Sequence, residues 1–104
     1  MAEAIKIRAT LLGDVADVKA LMTHVMETGL RQDPASGKVV PAHFIQQVIA
    51  TLNGKTVLDT RWGPSVSRNP LLGFRVRGAK AGDKVVIKAT DNKGETMNGE
   101  ATVA

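Results

Sequence analysis

The chain has two histidines, His24 and His43, and Glu27 lies three residues beyond the first. Two imidazoles and a carboxylate are a zinc-binding set, and pairing of the strands that flank them would bring them together at the base of a loop. Their spacing matches no compact ligand motif, so ordinary hydrogen bonding at a strand end is the expected role and no metal is assigned. A second candidate is Gly63-Pro64-Ser65-Val66-Ser67, a near miss to the nucleophile elbow with serine where the second glycine belongs. That glycine permits a sharp strand-to-helix turn. No helix is expected here, and no spaced acid and base complete a triad. Cysteine is absent, which removes a thiol nucleophile, a thiolate metal site and any disulfide. No catalytic residue and no cofactor are expected.

What remains for these residues is contact with a partner. Residues 61–70 hold the only tryptophan and two of the three serines. Gly63-Pro64 and Asn69-Pro70 both turn the backbone away from helix, so this segment reads as an ordered corner between strands. Residues 26–42 are long for a connection and contain the turn sequence Asp33-Pro34-Ala35-Ser36-Gly37-Lys38, which predicts a projecting hairpin. Candidate contacts are therefore His24, Met26, Glu27, Thr28, Gly29, Arg31 and His43 around the hairpin, with Trp62, Ser65, Ser67, Arg68 and Asn69 from the corner. The competing expectation is structural. The loop packs on its own domain, Trp62 fills a gap between sheets, and the two serines hydrogen-bond the corner.

The elements that position these residues are mostly strands. Ile5, Ile7, Ala9 and Leu11 alternate with Lys6, Arg8 and Thr10, the period of a strand with one buried face. Phe74 and Val76 alternate with Arg75 and Arg77, and Val85, Ile87 and Ala89 with Val86, Lys88 and Thr90. Asn53-Gly54, Lys80-Ala81-Gly82-Asp83 and Asp91-Asn92-Lys93-Gly94 supply turns. Two segments are ambiguous: Val15, Val18, Leu21, Met22 and Val25, and Phe44, Ile45, Val48, Ile49 and Leu52, both fall at helical spacing. Their β-branched content and the Asn53-Gly54 turn argue for strands instead.

Four blocks point to a family. They are His24-Val25-Met26-Glu27-Thr28-Gly29-Leu30-Arg31, Pro41-Ala42-His43-Phe44-Ile45, the corner from Arg61 to Pro70, and Gly78-Ala79-Lys80-Ala81-Gly82-Asp83-Lys84-Val85. In these blocks the chain resembles the SoxZ family, small subunits of the SoxYZ sulfur carrier of bacterial thiosulfate oxidation, over nearly its whole length. It departs at Val25, where many members have proline. The resemblance implies an all-β fold, an immunoglobulin-like antiparallel sandwich of about seven strands, and so resolves both ambiguous segments as strands. It also implies a heterodimer in which SoxY carries the cargo on a cysteine near a glycine-rich C-terminus. Transient contacts with other sulfur-oxidation enzymes follow from the same resemblance. The N-terminus, Met1-Ala2-Glu3-Ala4-Ile5-Lys6, lacks the apolar core of a secretory signal and by itself suggests the cytoplasm. The resemblance implies the periplasm, reached by export with SoxY.

Composition bounds the remaining classes. A length of 104 residues suits one domain, and a hydrophobic fraction of 43% is that of an ordinary soluble protein. No apolar run approaches the roughly 20 residues of a membrane-spanning helix. Between positions 61 and 88, Arg61, Arg68, Arg75, Arg77, Lys80, Lys84 and Lys88 face Asp83 alone, which predicts one basic face. The net charge of +4 raises nucleic acid as a partner, but Trp62, Phe44 and Phe74 are too few aromatics for a stacking platform. Apart from the family resemblance, the alternative is a stand-alone adhesion or chaperone-like module that pairs through an exposed strand edge.

Overall fold

The computed structural model describes residues 5–104, so the expectation about a leader lies outside the described residues. These hold seven strands and no helix: β1 (Ile5–Leu12), β2 (Val15–Met22), β3 (Ile45–Leu52), β4 (Lys55–Arg61), β5 (Leu71–Arg77), β6 (Lys84–Asp91) and β7 (Thr96–Thr102). They form a three-stranded sheet, β1-β2-β5, and a four-stranded sheet, β4-β3-β6-β7, antiparallel throughout. This is an immunoglobulin-like sandwich in which the fourth strand hairpins back onto the third rather than crossing to the first sheet. The reason is local. Asn53 and Gly54 take positive φ angles of 51° and 84°, the geometry of the two-residue turn that keeps consecutive strands paired.

Both ambiguous segments are strands. In β2 the buried side chains are Ala16, Val18, Ala20 and Met22, while Leu21, part of the apparent helical stripe, is exposed. In β3 the pairing with β6 shifts register between Ile45 and Gln47. That irregularity turns both Ile45 and Val48 inward, three residues apart, and so gives a strand the spacing of a helix.

Ile5, Ala9, Val18 and Met22 from the first sheet meet Val48, Ala50, Val85, Ile87 and Ala89 from the second. The core is aliphatic, with Phe44, Trp62 and Phe74 half-buried at its margins. At one side β1 closes against β7: the Leu11 amide donates to the Ala104 carbonyl at 2.8 Å, and the Ala104 amide donates to the Ala9 carbonyl at 3.1 Å. Gly99 permits this approach, since a Cβ there would stand 2.6 Å from the Ile5 carbonyl oxygen and 2.9 Å from its Cβ. Backbone cannot yield as a flexible side chain does. Gly99→Ala is therefore expected to destabilise the fold by about 1–3 kcal/mol, read as a melting temperature lower by about 5–15 °C.

The predicted hairpin forms within residues 26–42. Its strands meet at the Glu27–His43 and Gln32–Val39 bridges, and the Asp33 carbonyl accepts the Gly37 amide at 2.7 Å to close the tip. The radius of gyration is 15.6 Å, against roughly 13 Å for a compact chain of this length. The long axis is 53 Å.

Candidate functional site

The inward alternation of two strands continues past the hydrophobic core. Ala16, Val18, Ala20 and Met22 are followed at the same parity by His24, and Val85, Ile87 and Ala89 by Asp91. Strands of opposite sheets thus deliver an imidazole and a carboxylate to one end of the sandwich, both buried. A carboxylate that is 4% exposed must be fully hydrogen-bonded, and Asp91 is. Its Oδ1 accepts the Lys93 and Glu95 amides, each at 2.9 Å. Its Oδ2 accepts Nε2 of His43 at 2.7 Å and Nε2 of His24 at 3.3 Å. Burial alone would raise the Asp91 pKa; the hydrogen bonds from His43, Glu95, His24 and Lys93 outweigh it and hold the carboxyl below its ordinary value.

His24 is fixed on its other side as well. Its Nδ1 accepts the Met26 amide at 3.0 Å, its backbone amide donates to Asn69 Oδ1 at 3.0 Å, and its carbonyl accepts the Asn69 amide at 2.9 Å. Asn69 takes a φ of 50°, which its short amide side chain tolerates. Met26 takes 51° without that help, at a cost of about 1 kcal/mol. It is held there by the His24 ring and by its buried thioether, whose Sδ accepts the Ile45 amide at 3.4 Å.

The cluster braces the hairpin root. Glu27 and His43 exchange backbone hydrogen bonds of 2.6 and 3.0 Å, while Asn92 accepts the Phe44 amide at 2.8 Å and donates to the Ala42 carbonyl at 2.9 Å. Outside it, Arg31 Nη2 pairs with Glu27 Oε2 at 2.8 Å. The hydrogen bond from Arg31 holds the Glu27 carboxyl below its ordinary value, and the charge of Arg68 adds to the effect. A cleft of about 280 Å³ opens here, lined by Val25, Glu27, Arg31, His43, Arg68 and Lys93, among others. Beyond it the hairpin carries two bare apolar side chains, Leu30 at 87% and Val39 at 60% exposure.

His24, His43 and Asp91 place their donor atoms within 4.8 Å of one another, the composition of a three-ligand metal site. The proton positions oppose a metal. A backbone amide can only donate, so the bond from Met26 leaves Nδ1 of His24 without a proton and puts it on Nε2, the atom a cation would need. With both its nitrogens engaged, His24 has no free lone pair with which to act as a base. The arrangement suits a rigid polar pin.

The two separate sequence segments thus converge. His24, Met26, Glu27, Arg31, His43, Arg68 and Asn69 meet at one end, with Thr28 beside them accepting the Leu30 amide at 3.0 Å. Gly29 lies in the same hairpin, against Ala42. Trp62 packs half-buried against the core, its amide donating to the Gln46 carbonyl at 3.1 Å. Ser65 and Ser67 are exposed, and the side-chain hydrogen bond that ties the corner to the hairpin root is made by Asn69. The expectation that they fasten the corner is corrected, because Asn69 holds it from its end. The single basic face is corrected too. Arg75 and Arg77 lie on the three-stranded sheet and Arg61, Lys84 and Lys88 on the four-stranded one, since the chain changes sheets before and after β5. Asp91 is a site residue that the turn sequence Asp91-Asn92-Lys93-Gly94 does not reveal; its inward parity after Val85, Ile87 and Ala89 is the sequence signal that points to it.

No curated protein matches the chain. The family model for sulphur oxidation protein SoxZ matches residues 5–102, the whole sandwich from the first residue of β1 to the last of β7. The chain therefore belongs to the SoxZ family of sulfur-oxidation proteins.

Proposed function

We propose that this chain is the non-catalytic subunit of a heterodimeric sulfur carrier and that its task is to bind and present a cysteine-bearing partner of the SoxY kind. The observation that carries this reading is a SoxZ-family chain without a cysteine. A carrier needs a thiol to hold its cargo, so the covalent chemistry belongs to another polypeptide. A rigid body beside the partner's mobile arm raises the effective concentration of cargo at each enzyme that must admit it. Leu30 and Val39, on a hairpin braced by the Asp91 cluster, supply the exposed apolar area that a stable heterodimer buries. In this reading the complex works in the periplasm, which the chain reaches with its partner.

Co-expression with the SoxY-like protein of the same organism, followed by size-exclusion chromatography with light scattering, tests it. A one-to-one complex that carries the sulfur adduct only on the partner's cysteine is expected. A persistent monomer, or a mass-shifted adduct on this chain, would overturn the reading.

A further inference from the structure

The two outer faces of the sandwich differ in charge. On the three-stranded sheet Lys6, Arg8, Lys19, Arg75 and Arg77 share one surface with, among the described residues, a single carboxylate, Asp17, and Arg75 takes that carboxylate at 3.3 Å. On the four-stranded sheet Arg61, Lys84 and Lys88 are set against Asp59 and Glu100, with Lys84 and Glu100 paired at 3.0 Å. Arg8 stands directly opposite Lys19 in the register, a placement that destabilises a strand pair. Among the described residues neither has a carboxylate partner.

Gly73 lies opposite Lys19 on the other side. A Cβ there would stand 3.3 Å from Nζ of Lys19, so the lysine lies across the glycine with its ammonium in the space a side chain would fill. A glycine inside a strand often marks a place where another molecule comes close. Beside it is a shallow depression of about 320 Å³ between the cations and the bare leucines Leu21 and Leu71.

We propose that this face docks the acidic surface of a second protein, an enzyme that engages and releases the carrier in each cycle. The inference rests on the carrier reading above, and the depression shares no lining residue with the cleft at the hairpin end. The cations are spread over strands about 4.8 Å apart and rows about 7 Å apart, with leucines between them, so they do not converge on one small anion. Nucleic acid is disfavoured because the face has no aromatic side chain on which a base could stack; Phe74 lies on the inward side of β5. Electrostatic docking of this kind gives fast association and tolerates fast release.

The test measures association of the chain, in complex with its cysteine-bearing partner, with each purified sulfur-oxidation enzyme of the same organism, at low and high salt. Lys6→Glu/Arg8→Glu/Lys19→Glu is expected to slow association with at least one enzyme about tenfold or more and to flatten its salt dependence. Arg61→Glu/Lys88→Glu, on the opposite face, is expected to leave that rate unchanged. Arg8→Glu alone is expected to raise the melting temperature by about 1–5 °C while slowing association, because it turns an opposed like-charge pair into an attractive one. The proposal is overturned if no enzyme binds the native complex, if both faces respond alike, or if duplex DNA binds this face in place of protein. Loss of the heterodimer in the triple variant would also overturn it, by assigning this face to the cysteine-bearing partner. An intact heterodimer with unchanged enzyme association would overturn it and leave the carrier reading standing.

Discussion

Asp91→Asn is expected to cost about 2–4 kcal/mol, a fall of about 10–20 °C in melting temperature. All four groups that face this carboxylate are N–H donors. An asparagine oxygen can serve only one pair of them, so its NH₂ group points at the other. His43 can relieve part of the conflict by changing tautomer. His24 cannot, because the Met26 amide requires its Nδ1 as an acceptor. The damage should spread to the hairpin root, read as faster hydrogen exchange at the Glu27 and His43 amides, which bond each other's carbonyls. Unchanged exchange there would separate the cluster from the hairpin.

The same variant carries a pH signature. The folded pKa of Asp91 is depressed, so its contribution is present above the unfolded carboxylate value of about 3.9. It is lost as pH falls through the lower folded value. The native chain should lose stability in that acid window, and Asp91→Asn should lose less, since the asparagine does not titrate. Denaturant midpoints measured from pH 6 down to about pH 3 distinguish this from a purely steric defect, which would shift both curves in parallel.

The second large effect falls on binding. Leu30→Asp/Val39→Asp is expected to weaken binding of the proposed cysteine-bearing partner about 100-fold, roughly 2.7 kcal/mol. The melting temperature should move by no more than about 2 °C, because exposed positions away from packed contacts contribute little to the fold. Desolvating two introduced carboxylates in an apolar contact is what makes the change so costly. Arg31→Ala is the contrast: its ion pair with Glu27 is exposed and should matter little to stability. Isothermal titration of both variants decides the matter, and unchanged affinity in the double variant would remove the hairpin from the interface.

Much of the architecture was legible because alternation is a local property. A buried or half-buried side chain at every second residue of β1, β5 and β6 can be read without knowing what the strand packs against. β3 was harder, since its register shift imitates helical spacing and only the β6 pairing shows that Ile45 and Val48 share a face. The hairpin was legible from its turn residues. Its convergence with the corner was not, because His24 and Asn69 lie 45 positions apart and meet through two backbone-anchored bonds.

By itself the sequence determined which chemistry is absent and which strands have a buried face: no cysteine means no thiol, and period-two alternation means a half-buried strand. The tertiary structure alone decided where charge and polar groups gather. Seven cations close in sequence are divided among two sheets and the connecting segments, while Lys6, Arg8 and Lys19 from the first two strands join Arg75 and Arg77 from the fifth. Likewise Asp91, unremarked in a turn, becomes the acceptor that ties both histidines together. The reason is that burial and charge act through space, and in an antiparallel sandwich the neighbours that set them come from strands far apart along the chain.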